Sequence, residues 1–407
     1  MRTTAEKIIR ESIQKVLPDA AVRRALEGKT FPGKVILVAA GKAAWQMANA
    51  AYDVLGDTIT EGIIITKYDH VNGPVGNLIC AEAGHPIPDE NGFRATSEAV
   101  KMVSDLKPED TVLFLLSGGG SALFELPLIP GEELQDITAQ LLASGADITE
   151  INTIRKRLSR VKGGRFAQLI APAKVFTVVL SDIIGDPLDM IASGPAYPDS
   201  STCEDALQIV KDYHLNLSSA ALTLLRQETP KELSNVTTVI TGSVRQLCQA
   251  AKEVCEKLGY ETTILTEELT CQAKEAGAML GKLAAENAGK GRKVAFIAGG
   301  ETVVKLTGSG KGGRNQELAL SAAQYIDGIV GTAVFSVGSD GTDGPTDAAG
   351  GYVDWQTADK LRKQIVYIAD VLSNNDAFHA LQQVNGLIIT GPTGTNVNDV
   401  AVVLIEK

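Results

Sequence analysis

Cysteine is scarce in this chain: there are five in 407 residues, Cys80, Cys203, Cys248, Cys255 and Cys271. The number is odd, the spacing is scattered and no two form a CxxC pair. That argues against a disulfide framework and against a cysteine zinc site. Positive charge is also in deficit, with a formal net charge of −11. No general nucleic-acid surface and no anionic membrane surface is expected of such a chain. The stretch Met1 to Arg10 has no apolar signal core, and no hydrophobic run approaches a membrane span. There is no short-period repeat and no low-complexity tract. A cytoplasmic protein is the expectation. An acidic protein that handles anions must then do so with local basic groups or backbone N–H donors.

What is present is ordinary globular material, 44% hydrophobic and 21% charged, so a packed core is affordable. The length is too great for one small core, and two domains are expected. Residues 3–28 read as helical, with Ile8, Ile9, Ile13, Val16 and Leu17 on one stripe. Val35 to Ala40 reads as a buried strand feeding a helix whose face is Ala44, Met47, Ala48, Ala51 and Leu55. Further strands are expected at Ile63–Thr66, Leu78–Ala81, Val112–Leu116 and Val175–Leu180. Helical segments alternate with them, the pattern of a parallel α/β sheet. Residues 197–232 read as a helical or irregular bridge, broken at Pro198 to Ser201 and at Pro230. The alternation then restarts, with strands at Val236–Ile240, Thr262–Leu265, Val294–Ala298 and Ala333–Val337. Leu387–Thr390 and Val400–Ile405 read as a closing pair joined by a hairpin-like loop.

The chain is organised around Leu116-Ser117-Gly118-Gly119-Gly120-Ser121-Ala122-Leu123. A plain strand–helix turn needs one glycine or two. Three glycines between serines leave the backbone open to another molecule, and consecutive N–H groups there can converge on an anion. Gly41-Lys42 ends the first buried strand and aims a lysine at the rim where ligands of such sheets bind. It is not a Walker A loop, because the upstream glycine is missing and Ala43 replaces the hydroxyl residue. The run Asn152 to Arg165 is the one basic stretch. Helical spacing would gather Arg155, Ser159 and Lys162 on one face, a local funnel for anions.

The second half carries four polar stretches at strand and helix ends: Gly299-Gly300-Glu301-Thr302, Gly308 to Glu317, Ser339 to Asp347 and Gly391 to Asp399. Each alone is turn chemistry; their density points to a shared site. Gly308, Gly310 and Gly313 formally match G-x-G-x-x-G, a weak signal by itself. Lys311 and Arg314, in and beside that loop, suit free phosphate better than a buried pyrophosphate.

These motifs, with Ala40-Gly41-Lys42-Ala43, Ser181-Asp182 and Ser193-Gly194-Pro195, run through both halves in order. On them the chain resembles the type II glycerate kinases, or glycerate 2-kinases, with a C-terminal MOFRL domain. The resemblance implies a Rossmann-like parallel-sheet α/β domain over residues 1–232. It implies a smaller α/β MOFRL domain over 233–407, with the active site in the interdomain cleft. It further implies transfer of the γ-phosphate of ATP to glycerate, with magnesium, and maps the family's catalytic lysine and arginine onto Lys42 and Arg314. Ser117, Gly118, Gly119, Gly120, Ser121, Arg157, Lys162, Ser193, Gly312, Gly313, Asn315, Thr393 and Asn396 are then expected to contact substrate or nucleotide. Asp182, Asp186, Glu301 and Asp340 are the candidate metal ligands, since magnesium takes hard oxygen donors and keeps several waters. The same acids are the first candidates for a base. The rival is an NAD(P)-dependent hydroxypyruvate reductase, with its cofactor on the Gly308–Gly313 loop and Lys42 or His85 at the carbonyl. Only small-molecule partners are expected, glycerate and ATP; a homo-oligomer is compatible with the sequence but not required by it.

Overall fold

The computed structural model describes residues 1–406. Two compact units emerge: Pro18–Ser181 with Asp186–Thr241, and Met1–Leu17 with Asp182–Gly185 and the chain from Gly242 onward.

The first unit is built on six strands: β1 (Val35–Ala40), β2 (Ile59–Lys67), β3 (Ile79–Ala83), β4 (Thr111–Leu116), β5 (Lys174–Leu180) and β6 (Val236–Gly242). They lie in the order β3-β2-β1-β4-β5-β6. The pairs β1–β2, β2–β3, β1–β4 and β4–β5 are parallel. Every residue of β1 and β4 is buried, as expected for apolar strands covered on both faces. Order reverses between β1 and β4, which pair in register from Val35↔Thr111 to Ala40↔Leu116. In doubly wound sheets this switch point opens the crevice that holds ligands. Lys42 follows β1 and the Ser117–Gly120 stretch follows β4, so both sit at that point.

Strand β6 corrects the sequence reading, which had Val236–Ile240 open the second domain. Its entry is fixed by Asn235, whose carbonyl accepts from Val175 N–H at 2.8 Å and whose side chain donates to the carbonyls of Ala167 and Ala173 at 3.0 and 2.9 Å. It therefore completes the first sheet. The single helix expected over 3–28 is two, Arg2–Lys15 and Pro18–Leu26. Proline has no N–H to donate back, so Pro18 starts a helix rather than continuing one. The first of these packs Ile8, Ile9 and Ile13 against Leu247, Ala251 and Val254 of helix Val244–Lys257. The opening residues thus join the second unit, although the sequence grouped them with the first.

The second sheet holds β7 (Glu261–Leu269), β8 (Val294–Gly300), β9 (Thr332–Gly338), β10 (Gly350–Asp354), β11 (Leu387–Ile388) and β12 (Asp399–Ile405). Its order is β11-β10-β9-β12-β8-β7. Only β7–β8 is parallel; the other pairs are antiparallel. The expected closing hairpin does not form, because β9 and β10 lie between β11 and β12. Antiparallel β12 places Asp399 opposite both Gly300 and Gly338. One edge of this sheet thereby collects Glu301, Ser339, Asp340, Asn398 and Asp399. No described helix is long and apolar enough to cross a membrane.

Candidate functional site

At the switch point the two loops are laced together. Lys42 N–H donates to Gly118 O at 2.9 Å and Ser117 N–H to Ala40 O at 3.1 Å. The buried Ser117 hydroxyl accepts from Ala43 N–H at 3.0 Å, so it braces the loop instead of facing a ligand. Gly41, at φ +127°, leaves no room for a side chain, since a Cβ there would fall 2.2 Å from Ser117 Oγ. Gly119 takes φ +84°, and a Cβ on it would lie 3.0 Å from His85 Nε2 and 3.2 Å from Lys42 Cε. Among the described residues, the N–H groups of Gly118 and Gly119 have no acceptor. Two backbone donors and an exposed ammonium therefore meet in one place, which is the arrangement an anion needs. Lys42 also borders a depression of about 280 Å³ with Trp45, Gln46, Asp69, His70 and Asn72. Its carbonyl accepts from His70 Nδ1 at 3.0 Å and Thr66 Oγ1 at 3.3 Å, which fixes the main chain beneath the ammonium. Burial, and then the charges of Lys42 and Lys67, hold His85 below the ordinary histidine value.

Behind the loop lies a buried polar layer. Ser121 and Ser193 meet hydroxyl to hydroxyl, and Ser193 donates to Asn152 Oδ1 at 2.7 Å. The Ser121 carbonyl accepts from Lys162 Nζ at 2.8 Å and Arg155 Nη2 at 3.0 Å. Lys162 also donates to Phe124 O at 3.1 Å, and both cations face buried Glu125 at 3.6 Å. Helix Ile148–Leu158 ends before Ser159, so the single cationic face expected over 155–162 is not formed. Burial drops the Lys162 ammonium to about 8.

Arg157 was expected at a ligand. It is instead fully buried and donates to Thr153 O, Asp199, Ser201 and Glu228. Arg157 and Lys162 carry structure, and Ser193, also fully buried, supports Ser121 from behind. Of the first unit's expected contacts, Lys42, Gly118, Gly119, Gly120 and Ser121 are brought together.

In the second unit Arg314 opens helix Arg314–Ala323. Its Nε and Nη2 donate to the two oxygens of Asp399 at 2.5 and 3.0 Å, and its Nη1 pairs with Glu301 at 2.9 Å. Burial works against this charge, but Asp399 and Glu301 outweigh it and push the guanidinium upward. The helix's first N–H groups are taken by Asp343, which accepts from Asn315 N–H at 3.1 Å and Gln316 N–H at 2.9 Å. Asn315 is buried and also donates to Asp343, while its Oδ1 accepts from Ser336 at 2.5 Å. The glycine loop before the helix is committed too. Gly308 and Ser309 N–H donate to the Asn375 and Asn374 side chains, Gly310 N–H to Asn374 O, and Lys311 N–H to Asp376 Oδ1. Gly313 is pressed on Asp343, with an added Cβ falling 2.3 Å from its Cγ. Gly312, Gly313 and Asn315 therefore build the turn that aims Arg314. Thr393 donates to Ser339 O at 2.5 Å; exposed Asn396 accepts from Asn398 N–H at 3.3 Å.

Among the described residues no group of three or more His, Cys, Asp or Glu could hold a metal. Glu301 is shared by Arg314 and by Asn398 Nδ2 at 3.2 Å. Asp340 accepts from Thr342 N–H at 2.9 Å, and the Asp182 carbonyl accepts from Asn398 at 3.1 Å. Asp186 differs, since its Oδ1 is buried with no hydrogen-bond partner. Sequence reasoning missed Asp399 and Asp343 as partners of the Arg314 turn, and Glu125 behind the glycine loop. The one signal for Asp399 was a lone acid opening an apolar strand.

Residues 4–226 match a family described as a domain of unknown function, DUF4147, and residues 294–399 match the MOFRL family. D-glycerate 2-kinase of Thermotoga maritima is 51% identical, over 100% of this chain and 98% of its own. Glycerate 2-kinase of Pyrococcus horikoshii is 40% identical, again over 100% of this chain and 98% of its own. The crystal structure of glycerate kinase from Thermotoga maritima superposes with a TM-score of 0.94 at 51% identity, covering 99% of each chain. The hydroxypyruvate reductase name occurs among less similar relatives, at 38% identity and below. Full-length identity, both family matches and a shared architecture place this chain in the glycerate 2-kinase family with a C-terminal MOFRL domain.

Proposed function

We propose that the chain transfers the γ-phosphoryl group of ATP to the 2-hydroxyl of glycerate, with magnesium, releasing 2-phosphoglycerate and ADP. The observation that carries this reading is the convergence of Lys42 with the unengaged N–H groups of Gly118 and Gly119 at the switch point. Phosphoryl transfer asks mainly for positioning and for charge placed on the moving group. Lys42 supplies charge at a backbone cradle. Arg314 supplies a guanidinium whose orientation Asp399 and Glu301 fix, with N–H groups left over for phosphate oxygens. Ser121 and Gly120 line the same cradle, which takes either a nucleotide phosphate or the glycerate carboxylate.

Magnesium fits the donors in chemical kind. Asp186 offers a buried carboxylate oxygen with no partner. One or two carboxylates suffice, because the phosphates and waters complete the shell. When bound, the ion would neutralise phosphate charge.

The reductase reading fits the geometry poorly. A dinucleotide pyrophosphate needs the glycine-loop and helix N–H groups free. Here Asn374, Asn375, Asp376 and Asp343 hold them. The test is a coupled assay with glycerate, ATP and Mg²⁺, with NMR of the product. ADP release with phosphate on O2 is expected. Phosphate only on O3 overturns the regiochemistry, and NADH consumption with hydroxypyruvate in place of ADP release overturns the kinase.

A further inference from the structure

We propose that His85 is the catalytic base that takes the proton from the attacking glycerate hydroxyl. The role rests on the kinase reading above. Four observations carry it, all within the first unit. Strand β3 ends at Ala83, and the two residues that follow bring the imidazole to the glycine loop after β4, although β2 and β1 separate these strands in the sheet. There, Nε2 lies 3.0 Å from where a Cβ on Gly119 would sit, with Lys42 Cε 3.2 Å from the same point. Only glycine at 119 leaves that space, so the ring, the ammonium and the free N–H groups border one opening. Among the described residues neither ring nitrogen has a hydrogen-bond partner, so both remain available to a ligand. The ring is half-buried, close enough to water to release a proton after each turnover.

The acids that were the first candidates for this task are occupied or placed elsewhere. Glu301 holds Arg314 and Asn398. Asp340 holds Thr342 N–H. Asp182 has an interaction of its own, and Asp186 is the better cation ligand. The charged groups facing His85 are Lys42 and Lys67, with Asp89 further along its own loop engaged by Tyr68 and Gly92. The two lysines disfavour a second positive charge, so the ring waits neutral and able to accept.

The step balances. The hydroxyl oxygen bonds to the γ-phosphorus while the bond from that phosphorus to the β,γ-bridging oxygen breaks. The electron pair of that bond leaves on ADP. The hydroxyl proton passes to Nε2 of His85 and from there to solvent. Lys42, beside the ring, neutralises the phosphoryl oxygens and makes proton release from the imidazolium easier.

The test compares wild type, His85→Gln and His85→Ala for glycerate phosphorylation across the acid and neutral range. Glutamine keeps hydrogen-bonding capacity but cannot accept the proton, so kcat should fall roughly 10²-fold, the low end for a positioned base. KM for glycerate should hardly move. The wild-type kcat profile should show an acid limb below the ordinary histidine value, and that limb should vanish in His85→Gln. Added imidazole should restore part of the His85→Ala rate. If the wild type phosphorylates glycerate and His85→Gln keeps near wild-type kcat with its acid limb, the role is overturned and the kinase stands. A loss confined to KM overturns it equally, because that is a binding contact. A wild type that releases no ADP with glycerate overturns both readings.

Discussion

Arg314 donates Nε and Nη2 to the two carboxylate oxygens of Asp399 at 2.5 and 3.0 Å. This two-pronged pair fixes the plane of the guanidinium, which a single contact would leave free to turn. The Coulomb partner and the orienting partner are the same residue, and a third nitrogen is steadied by Glu301. Arg314→Ala should lower kcat by roughly 10²–10³, the range seen when a preorganised donor is removed from a developing charge. Arg314→Lys should recover little, since an ammonium cannot match the fork. Asp399→Asn should lower kcat in the same direction but less. Steady-state kinetics on the three variants checks this; near wild-type kcat in Arg314→Ala removes the residue from the mechanism.

Lys42 makes the complementary prediction in the first unit. Its side chain is exposed, while the contacts that hold the loop come from its backbone N–H and carbonyl. Lys42→Ala should therefore leave the thermal midpoint close to wild type and cut kcat by roughly 10²–10³. A large drop in midpoint would show that the aliphatic stem carries structure. Unchanged kinetics would make the ammonium a solvated charge.

Asp199 makes a prediction about stability alone. It is buried and accepts from Lys156 at 3.1 Å, Arg157 at 3.4 Å, Thr229 at 2.7 Å and the Ser201 N–H at 3.1 Å. Burial pushes its carboxyl upward, but the Thr229 bond and the Lys156 charge outweigh that and hold it below its ordinary value. Asp199→Ala leaves two buried cations short of a partner, and should cost about 3–5 kcal/mol. Denaturant unfolding of the variant measures it. A cost near zero would mean that water or Glu228 takes over the pairing.

The first unit was legible in the sequence because β1, β4 and β5 are short apolar runs that stop at glycine or serine, and strands buried on both faces demand such runs. Lys42 and Gly118–Gly120 followed from the same logic, since they stand where those runs stop. The second unit was less legible. β10 is two glycines and three residues, too little apolar sequence to announce a strand, and its insertion separates β11 from β12. The N-terminal helix displayed its apolar stripe, but a stripe does not name the surface that it packs on. Arg157 and Lys162 were misplaced for a related reason. A cation on a helix near a glycine loop suits a ligand and a buried carboxylate equally, and the carboxylates, Asp199 and Glu125, are distant in sequence. Asn315 and Gly313 lie in a motif that reads as a ligand loop, yet the ligand of that helix start is the protein's own Asp343.

Asp343 provides a pH prediction with a definite sign. Its carboxylate is buried and accepts from Asn315 and Gln316 N–H. Burial raises its carboxyl to about 6 from 3.8; the two N–H bonds pull it down, and nearby Asp399 pushes it up. A carboxyl with a raised value in the folded state binds its proton more tightly folded than unfolded. Its contribution to stability is then fully present below 3.8 and is lost as pH rises through about 6. Other carboxylates, among them Asp110, Asp199 and Asp205, are shifted the opposite way, so the wild type alone does not isolate the effect. Comparison with Asp343→Asn does, since that variant has no titrating group at the position. The asparagine also turns an amide N–H₂ toward a helix N–H, which lowers stability at every pH. The difference in denaturation midpoint, wild type minus Asp343→Asn, should therefore grow as pH falls from 7 to 4. A difference that stays flat or shrinks over that range would mean that Asp343 ionises as an ordinary helix-capping carboxylate, and that burial does not govern its charge.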